Sequence, residues 1–386
     1  MSYLKYYILT LIVHLSLHLA AQTPVFVSGK EGFKSFRIPA IVRAENGELL
    51  AFSEGRVAGA GDFGDIDIVM KRSRDSGKSW SGIQTVAGYD NLQAGNPAPV
   101  LDLADPRYPK GRLFLFYNTG NNHENEIRKG NGIREVWYKT STDAGLTWSE
   151  PVNITLMVHR PKQPKVNPAY NFKEDWRSYA NTPGHAMQFS TGKYKGRIYI
   201  AANHSAGPPK QKSTDYQAHG FYTDDHGKTF KLSKTISFEG SNEATAAELS
   251  GGRMMFNSRN QQGDVKARIV AVSKDGGVKW DTTYFDHNLP DPICEGSILT
   301  IENRKGGNIL AFSNAADTKK RDNLTLRISF DDCKTWAKCY PVDQSKNNEE
   351  DYTGYSDLVK TGKTTVGILY EFNNYKSIVF KSFDWK

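Results

Sequence analysis

The first residues suited to chemistry stand at Phe36-Arg37-Ile38-Pro39, where an arginine is held between an aromatic residue and a rigid proline. A guanidinium offers planar, paired N–H donors that match a carboxylate, and it stays charged at any working pH. Arg259, in Asn257-Ser258-Arg259-Asn260, and Arg321, in Arg321-Asp322-Asn323-Leu324, carry the same guanidinium donors. Taken singly, each of the three also reads as a surface residue or half of an ion pair, and Lys319, Lys320 and Arg327 compete with Arg321. The glycine-rich stretch Gly61-Asp62-Phe63-Gly64-Asp65-Ile66-Asp67 leads into a strand and offers three carboxylates, which also read as calcium ligands or polar turn residues. Asn96, before Pro97, fits an Asx turn. No Cys/His spacing resembles a zinc site.

Two interleaved repeats must position these residues. Ser/Thr-x-Asp-x-Gly-x-x-Trp/Phe occurs at 73–80, 141–148, 223–230 and 273–280, with a degraded copy at 329–336 in which Cys333 replaces Gly. Asp and Ser/Thr accept backbone N–H bonds in a tight turn, Gly permits positive φ, and the aromatic closes the turn onto a core. Out of phase with it, a Gly precedes a compact apolar run six times, at Gly47, Gly111, Gly196, Gly252, Gly307 and, more loosely, Gly362. These runs read as buried inner strands and the runs before the Asp turns as half-exposed ones. Six inner strands with five turns predict a six-bladed β-propeller whose turn-less blade is closed from both chain ends. The alternative is a large β-sandwich.

Residues 1–21 combine Lys5, the apolar run Tyr7 to Ala20 and a small-residue end, the pattern of a signal peptide, so the mature protein is expected to begin near Gln22 and to be periplasmic or secreted. No later run is long enough for a membrane span. Residues 22–386 lack a linker or low-complexity tract and read as a single propeller domain, expected to be a monomer. Cys294, Cys333 and Cys339 make a poor disulfide framework, and Cys333–Cys339 pairing is not expected. The 50 Lys+Arg against 42 Asp+Glu favour acidic ligands only weakly, and no basic stripe with stacking aromatics points to nucleic acid.

Phe-Arg-Ile-Pro followed by a series of Asp turns resembles the sialidase (neuraminidase) family, and the likeness runs from about Pro24 to the C-terminus. The resemblance implies that Arg37, Arg259 and Arg321 bind the carboxylate of sialic acid. It also implies that Arg56 contacts the sugar near its 4-hydroxyl, and Asn96 its N-acetyl or 4-hydroxyl end. Asp62 falls at the general-acid position, where crowding by Asp65 and Asp67 is expected to raise its pKa. Pro183-Gly184-His185-Ala186-Met187-Gln188 resembles a loop bordering the pocket. Glu243 and Tyr355 match the base and the nucleophile. A neutral phenol suits an anomeric carbon that bears a carboxylate, because an anionic nucleophile would approach like charge. The implied activity is a retaining exo-α-sialidase acting on sialylated glycans through a tyrosyl intermediate, without cofactor or metal. A trans-sialidase, an intramolecular anhydro-forming enzyme and a non-catalytic sialic-acid-binding propeller are the alternatives.

Overall fold

Every Asp turn folds as its spelling requires. In the first, Ser73 Oγ accepts the N–H of Gly77, and the Asp75 carboxylate accepts the N–H groups of Lys78 and Ser79. The same bonds recur around Ser141 and Asp143, Thr223 and Asp225, Ser273 and Asp275, and Ser329 and Asp331. The residue that donates to the Ser/Thr oxygen has positive φ throughout, 91° at Gly77 and 61° at Cys333. The degraded copy still forms because its bonds come from Ser329, Asp331 and the backbone, leaving Cys333 to carry a left-handed conformation that glycine adopts more easily. All three cysteines are free.

The computed structural model describes residues 22–347 and 349–386, and the segment read as a signal peptide lies outside them. The chain is all-β apart from short helical turns, and each unit is an antiparallel meander. Ser241–Glu248, Met254–Asn260, Ala267–Ser273 and Thr282–Pro290 form one four-stranded sheet; Gly296–Glu302, Ile309–Ala315, Leu324–Ser329 and Lys338–Asp343 form another. A five-stranded sheet is built on Trp176–Asn181, Ile198–Ala206 and Tyr216–Thr223. In a further four-stranded sheet the N-terminal Thr23–Val27 adds to Thr353–Lys360, Thr365–Phe372 and Ser377–Asp384, so this sheet needs no Asp turn.

The expectation of six separate blades is corrected here. The strands form five sheets, because the units Ser35–Ala87 and Gln93–Asn153 are continuous in one eight-stranded sheet. The cause is local: Leu92 N–H closes a turn onto the Tyr89 carbonyl, Ile66 N–H reaches the Leu92 carbonyl at 3.3 Å, and Gln93 is laid parallel to Ile66. The architecture is a β-propeller of four separate blades and one double-length sheet.

The apolar runs are buried as expected, but they are the second strand of each unit; Leu49–Arg56 is buried at every position. The strands before the Asp turns, such as Ile66–Ser73 and Ala267–Ser273, are also largely buried. Exposure falls instead on fourth strands such as Thr282–Pro290 and Lys338–Asp343. The reason is that cores lie between successive units. Phe116 meets Phe221 and Phe230 of the next unit edge to face, with ring centroids 5.8 and 5.7 Å apart. Such pairs add about 0.5–1.5 kcal/mol each beyond burial. First strands pack on first strands, Ser35–Arg43 touching both Gln93–Asp102 and Thr353–Lys360. This ring of first strands carries the site.

Candidate active site

Five first strands break register near their starts, between Arg37 and Ala40, Gly95 and Ala98, Trp176 and Tyr179, Ser241 and Ala244, and Thr353 and Ser356. A bulge re-aims side chains. Asn96, Glu243 and Tyr355 each lie inside one, and Arg37 stands at the edge of another. Two of the bulges hold non-glycine residues at positive φ before a proline, Ile38 at 60° and Asn96 at 54°. For a β-branched residue such as Ile38 this conformation is strained and must be held by its surroundings.

What holds it is a polar residue ending the second strand of the neighbouring unit. Glu371 is 0 % exposed and accepts the Ile38 N–H and the Tyr355 N–H, each at 3.0 Å, together with Arg37 Nε at 2.6 Å. Glu54 accepts the Asn96 N–H at 2.9 Å and both Nε and Nη2 of Arg56. Asn118 plays the same part for the Asn181 N–H at 2.7 Å. Glu54, Asn118 and Glu371 escape attention in the sequence, although each is the polar residue that closes an apolar run.

The bulges open on a cavity of about 170 Å³. Arg37, Arg56, Asp62, Asn96, Glu243, Arg259, Arg321 and Tyr355 all line it, so the eight residues expected to bind or transform substrate meet in one cavity. Arg327 is not among them; it donates to Asn314 Oδ1, and Lys319 and Lys320 line a neighbouring depression. The guanidinium groups of Arg37 and Arg321 lie 5.4 and 5.3 Å from the centre of the Tyr355 ring, and Arg37 also covers Tyr375 at 4.0 Å. Tyr375 belongs to no motif.

Tyr355 is 4 % exposed, and its hydroxyl donates to Glu243 Oε2 at 2.5 Å. Arg259 Nη1 donates to both members of this pair, at 2.7 Å to the phenol oxygen and 2.5 Å to the carboxylate. Burial pushes the phenol well above the ordinary value of 10.0, Glu243 pushes the same way, and Arg259 and Arg321 oppose both. Tyr355 is therefore a neutral phenol at neutral pH, with a carboxylate and a fixed cation both in contact with its oxygen, an arrangement that can accept a proton and stabilise negative charge there. Burial works against the charge of Arg259, but Tyr355 and Glu243 hold it above its ordinary value; Glu371 and Tyr375 do the same for Arg37.

Asp62 departs from the expectation of a crowded, raised carboxyl. Its side chain is 77 % exposed and pairs with Arg56 Nη1 at 2.8 Å. Partial burial raises it, but Arg56, Arg37 and Arg134 outweigh that and hold it below the ordinary carboxylate value. Asp65 acts on Asp67, whose own burial raises it first. Nor do the three carboxylates gather into a cation site; among the described residues the one such group is Asp102, Asp105 and His226, away from the cavity, where Asp105 is held by Arg107 and Arg112. The 183–188 loop is a second correction. Asp357 Oδ1 accepts from His185 Nδ1, 2.6 Å away, and His185 lines a different opening, with Ile41, Val100 and Leu358 at the far ends of the first strands. The loop follows Asn181 past the bulged starts of the strands, so its side chains face the other mouth of the ring.

The model of the BNR repeat-like domain matches residues 45–368. An exo-alpha-sialidase of Arthroderma benhamiae is 31% identical over 372 residues, covering 89% of this chain and 80% of that protein. The chain belongs to the sialidase family. A sialidase of Micromonospora viridifaciens is 33% identical over 364 residues, covering 89% of this chain and 51% of its own length, so the chain spans about half of that relative. Among solved structures, the Hadza microbial sialidase Hz136 superposes with a TM-score of 0.76 at 25% identity, covering 94% of this chain and 68% of that one. Sialidases are glycoside hydrolases, and the arrangement around Tyr355 is suited to that chemistry. Among the described residues no helix is long and apolar enough to cross a membrane.

Proposed function

We propose that this sialidase-family chain is a retaining exo-α-sialidase that removes terminal sialic acid from sialylated glycans. The observation that carries the reading is the contact of Tyr355 with Glu243 and Arg259 beneath a cavity ringed by arginines. The substrate carboxylate sits on Arg37, Arg259 and Arg321, which places the anomeric carbon over the Tyr355 oxygen. A bond forms between that oxygen and the anomeric carbon as the bond to the aglycone oxygen breaks. The phenol proton passes to Glu243, and Asp62 protonates the departing oxygen. In the second half, water bonds to the anomeric carbon as the bond to the Tyr355 oxygen breaks, Asp62 takes the water proton, and Glu243 returns its proton to the departing Tyr355 oxygen.

Asp62 starts too acidic for this duty in the free site, and substrate binding supplies the correction. The incoming carboxylate offsets the positive field of the arginines, and the aglycone covers an exposed side chain; both changes favour the protonated form. A purely sialic-acid-binding propeller would need the arginines alone, whereas here a nucleophile and base are already in contact. Proton NMR of the protein with a sialyl-lactose and added N-acetyllactosamine as acceptor tests the proposal: release of the sugar as the α-anomer first supports it, release as an anhydro sugar or transfer to the added acceptor points to the alternatives, and neither release nor transfer removes it.

A further inference from the structure

Arg37, Arg56 and Arg259 in the cavity are each paired with a carboxylate, on Glu371, Glu54 and Glu243. Arg134 is different. It lines the same cavity at 5 % exposed, its Nε has no hydrogen-bond partner, and among the described residues it forms no ion pair. Gln93 Oε1 beside it is likewise buried and unpartnered. Register brings the two together: Gln93 is opposite Gly120, and Gly120 is opposite Arg134, at the cavity ends of three adjacent strands. A Cβ on residue 120 would lie 3.0 Å from Gln93 Oε1 and 3.5 Å from Arg134 Nε, so the glycine makes room for both side chains. A buried cation and a buried amide oxygen without partners are costly unless a ligand supplies them.

The order of groups around the cavity says which part of the substrate arrives there, given the sialidase reading on which this inference rests. The carboxylate on the second carbon is fixed by Arg37, Arg259 and Arg321, and Arg56 with Glu54 stands beside Arg37 for the 4-hydroxyl. The next unit around the ring contributes Gln93 and Arg134, so the fifth carbon of the pyranose turns its substituent to them. We propose that Arg134 and Gln93 form a specificity subsite for a hydroxyl-bearing 5-substituent and select against N-acetyl, whose methyl would leave both polar groups unsatisfied. The shared chemistry is a hydroxyl, present directly on the fifth carbon in a deaminated sialic acid or at the end of an N-glycolyl group.

The test compares kcat/KM on the 4-methylumbelliferyl α-glycosides of the 5-hydroxy, N-glycolyl and N-acetyl sugars. The wild-type protein should favour at least one hydroxyl-bearing sugar over the N-acetyl one by about tenfold or more, since a site built to hydrogen-bond a hydroxyl discriminates strongly against its absence. Preference for the 5-hydroxy sugar alone places the hydroxyl at the ring, and preference for the N-glycolyl sugar alone places it at the end of the acyl group. Arg134→Leu should narrow the preference by raising N-acetyl turnover relative to the other two, and Gln93→Leu serves if the first variant does not fold. Equal or better turnover of the N-acetyl sugar by the wild-type protein would overturn the inference while leaving the sialidase reading intact. Cleavage of none of the three would overturn both.

Discussion

Replacing Glu371 by Gln tests whether one buried carboxylate positions both ends of the chemistry. Glu371 receives Arg37 Nε at 2.6 Å and Nη2 at 3.4 Å, and the Ile38 and Tyr355 N–H groups at 3.0 Å. Glutamine keeps the shape and one acceptor oxygen, but its amide nitrogen then faces a donor and Arg37 loses its counter-charge. Breaking a buried ion pair costs about 3–5 kcal/mol, and the retained oxygen places this case near the low end, about 3 kcal/mol. In a chain of this length that corresponds to a fall in Tm of roughly 4 °C. The backbone at Ile38 is held left-handed by the same carboxylate, so Arg37 and Tyr355 should both drift, and misplacement by about 1 Å lowers kcat/KM on the order of 100-fold. Thermal unfolding and steady-state kinetics on an aryl sialoside read the two effects. An unchanged Tm with kcat/KM within about twofold of wild type would refute the positioning role.

Three further outcomes are expected, two from the structure and one from the sequence. Asp62→Ala should harm natural glycosides far more than aryl glycosides, whose phenolate leaves without a proton, and equal loss on both would assign Asp62 to the Arg56 ion pair alone. His159, His204 and His219 are fully buried around Trp176 and Tyr179, and burial holds all three below the ordinary value, His219 at about 3. The unfolded chain therefore binds more protons below about pH 6.5, so stability is full above that value and lost as pH falls toward the folded values, by about 1.4 kcal/mol per pH unit for each histidine. Urea midpoints between pH 5 and 7 should show this slope, shallower by one proton in His219→Phe; an unchanged slope would contradict the buried neutral cluster. If residues 1–21 are removed on export, protein recovered outside the cytoplasm should begin near Gln22, and an N-terminus at Met1 would contradict it.

What was legible in the sequence was written in short local spelling. The Asp turns are, because their bonds stay within a few residues, and so are Arg37 and Tyr355, which carry recognisable neighbours. Glu54 and Glu371 are not, because the bulges they hold, at Asn96 and Ile38, belong to other units, 42 and 333 residues away. Their trace is a charged residue closing an otherwise apolar run, a pattern that signals burial next to a polar partner without naming it. The fusion of two units depended on the turn Tyr89 to Leu92, which no repeat predicts. The environment of Asp62 differs from its sequence neighbourhood because proximity to Asp65 and Asp67 along the chain says little in a loop where Arg56 folds back onto the carboxylate.

The central claim is that Tyr355 attacks the anomeric carbon while Glu243 removes its proton. A 3-fluorinated sialosyl fluoride slows breakdown of the covalent intermediate and should label the protein once. Peptide mapping by mass spectrometry should then place the sugar on Tyr355, with labelling lost in Tyr355→Phe and slowed in Glu243→Ala. A sugar recovered on Glu243 or Asp62, or an active protein that never acquires the label, would contradict the account.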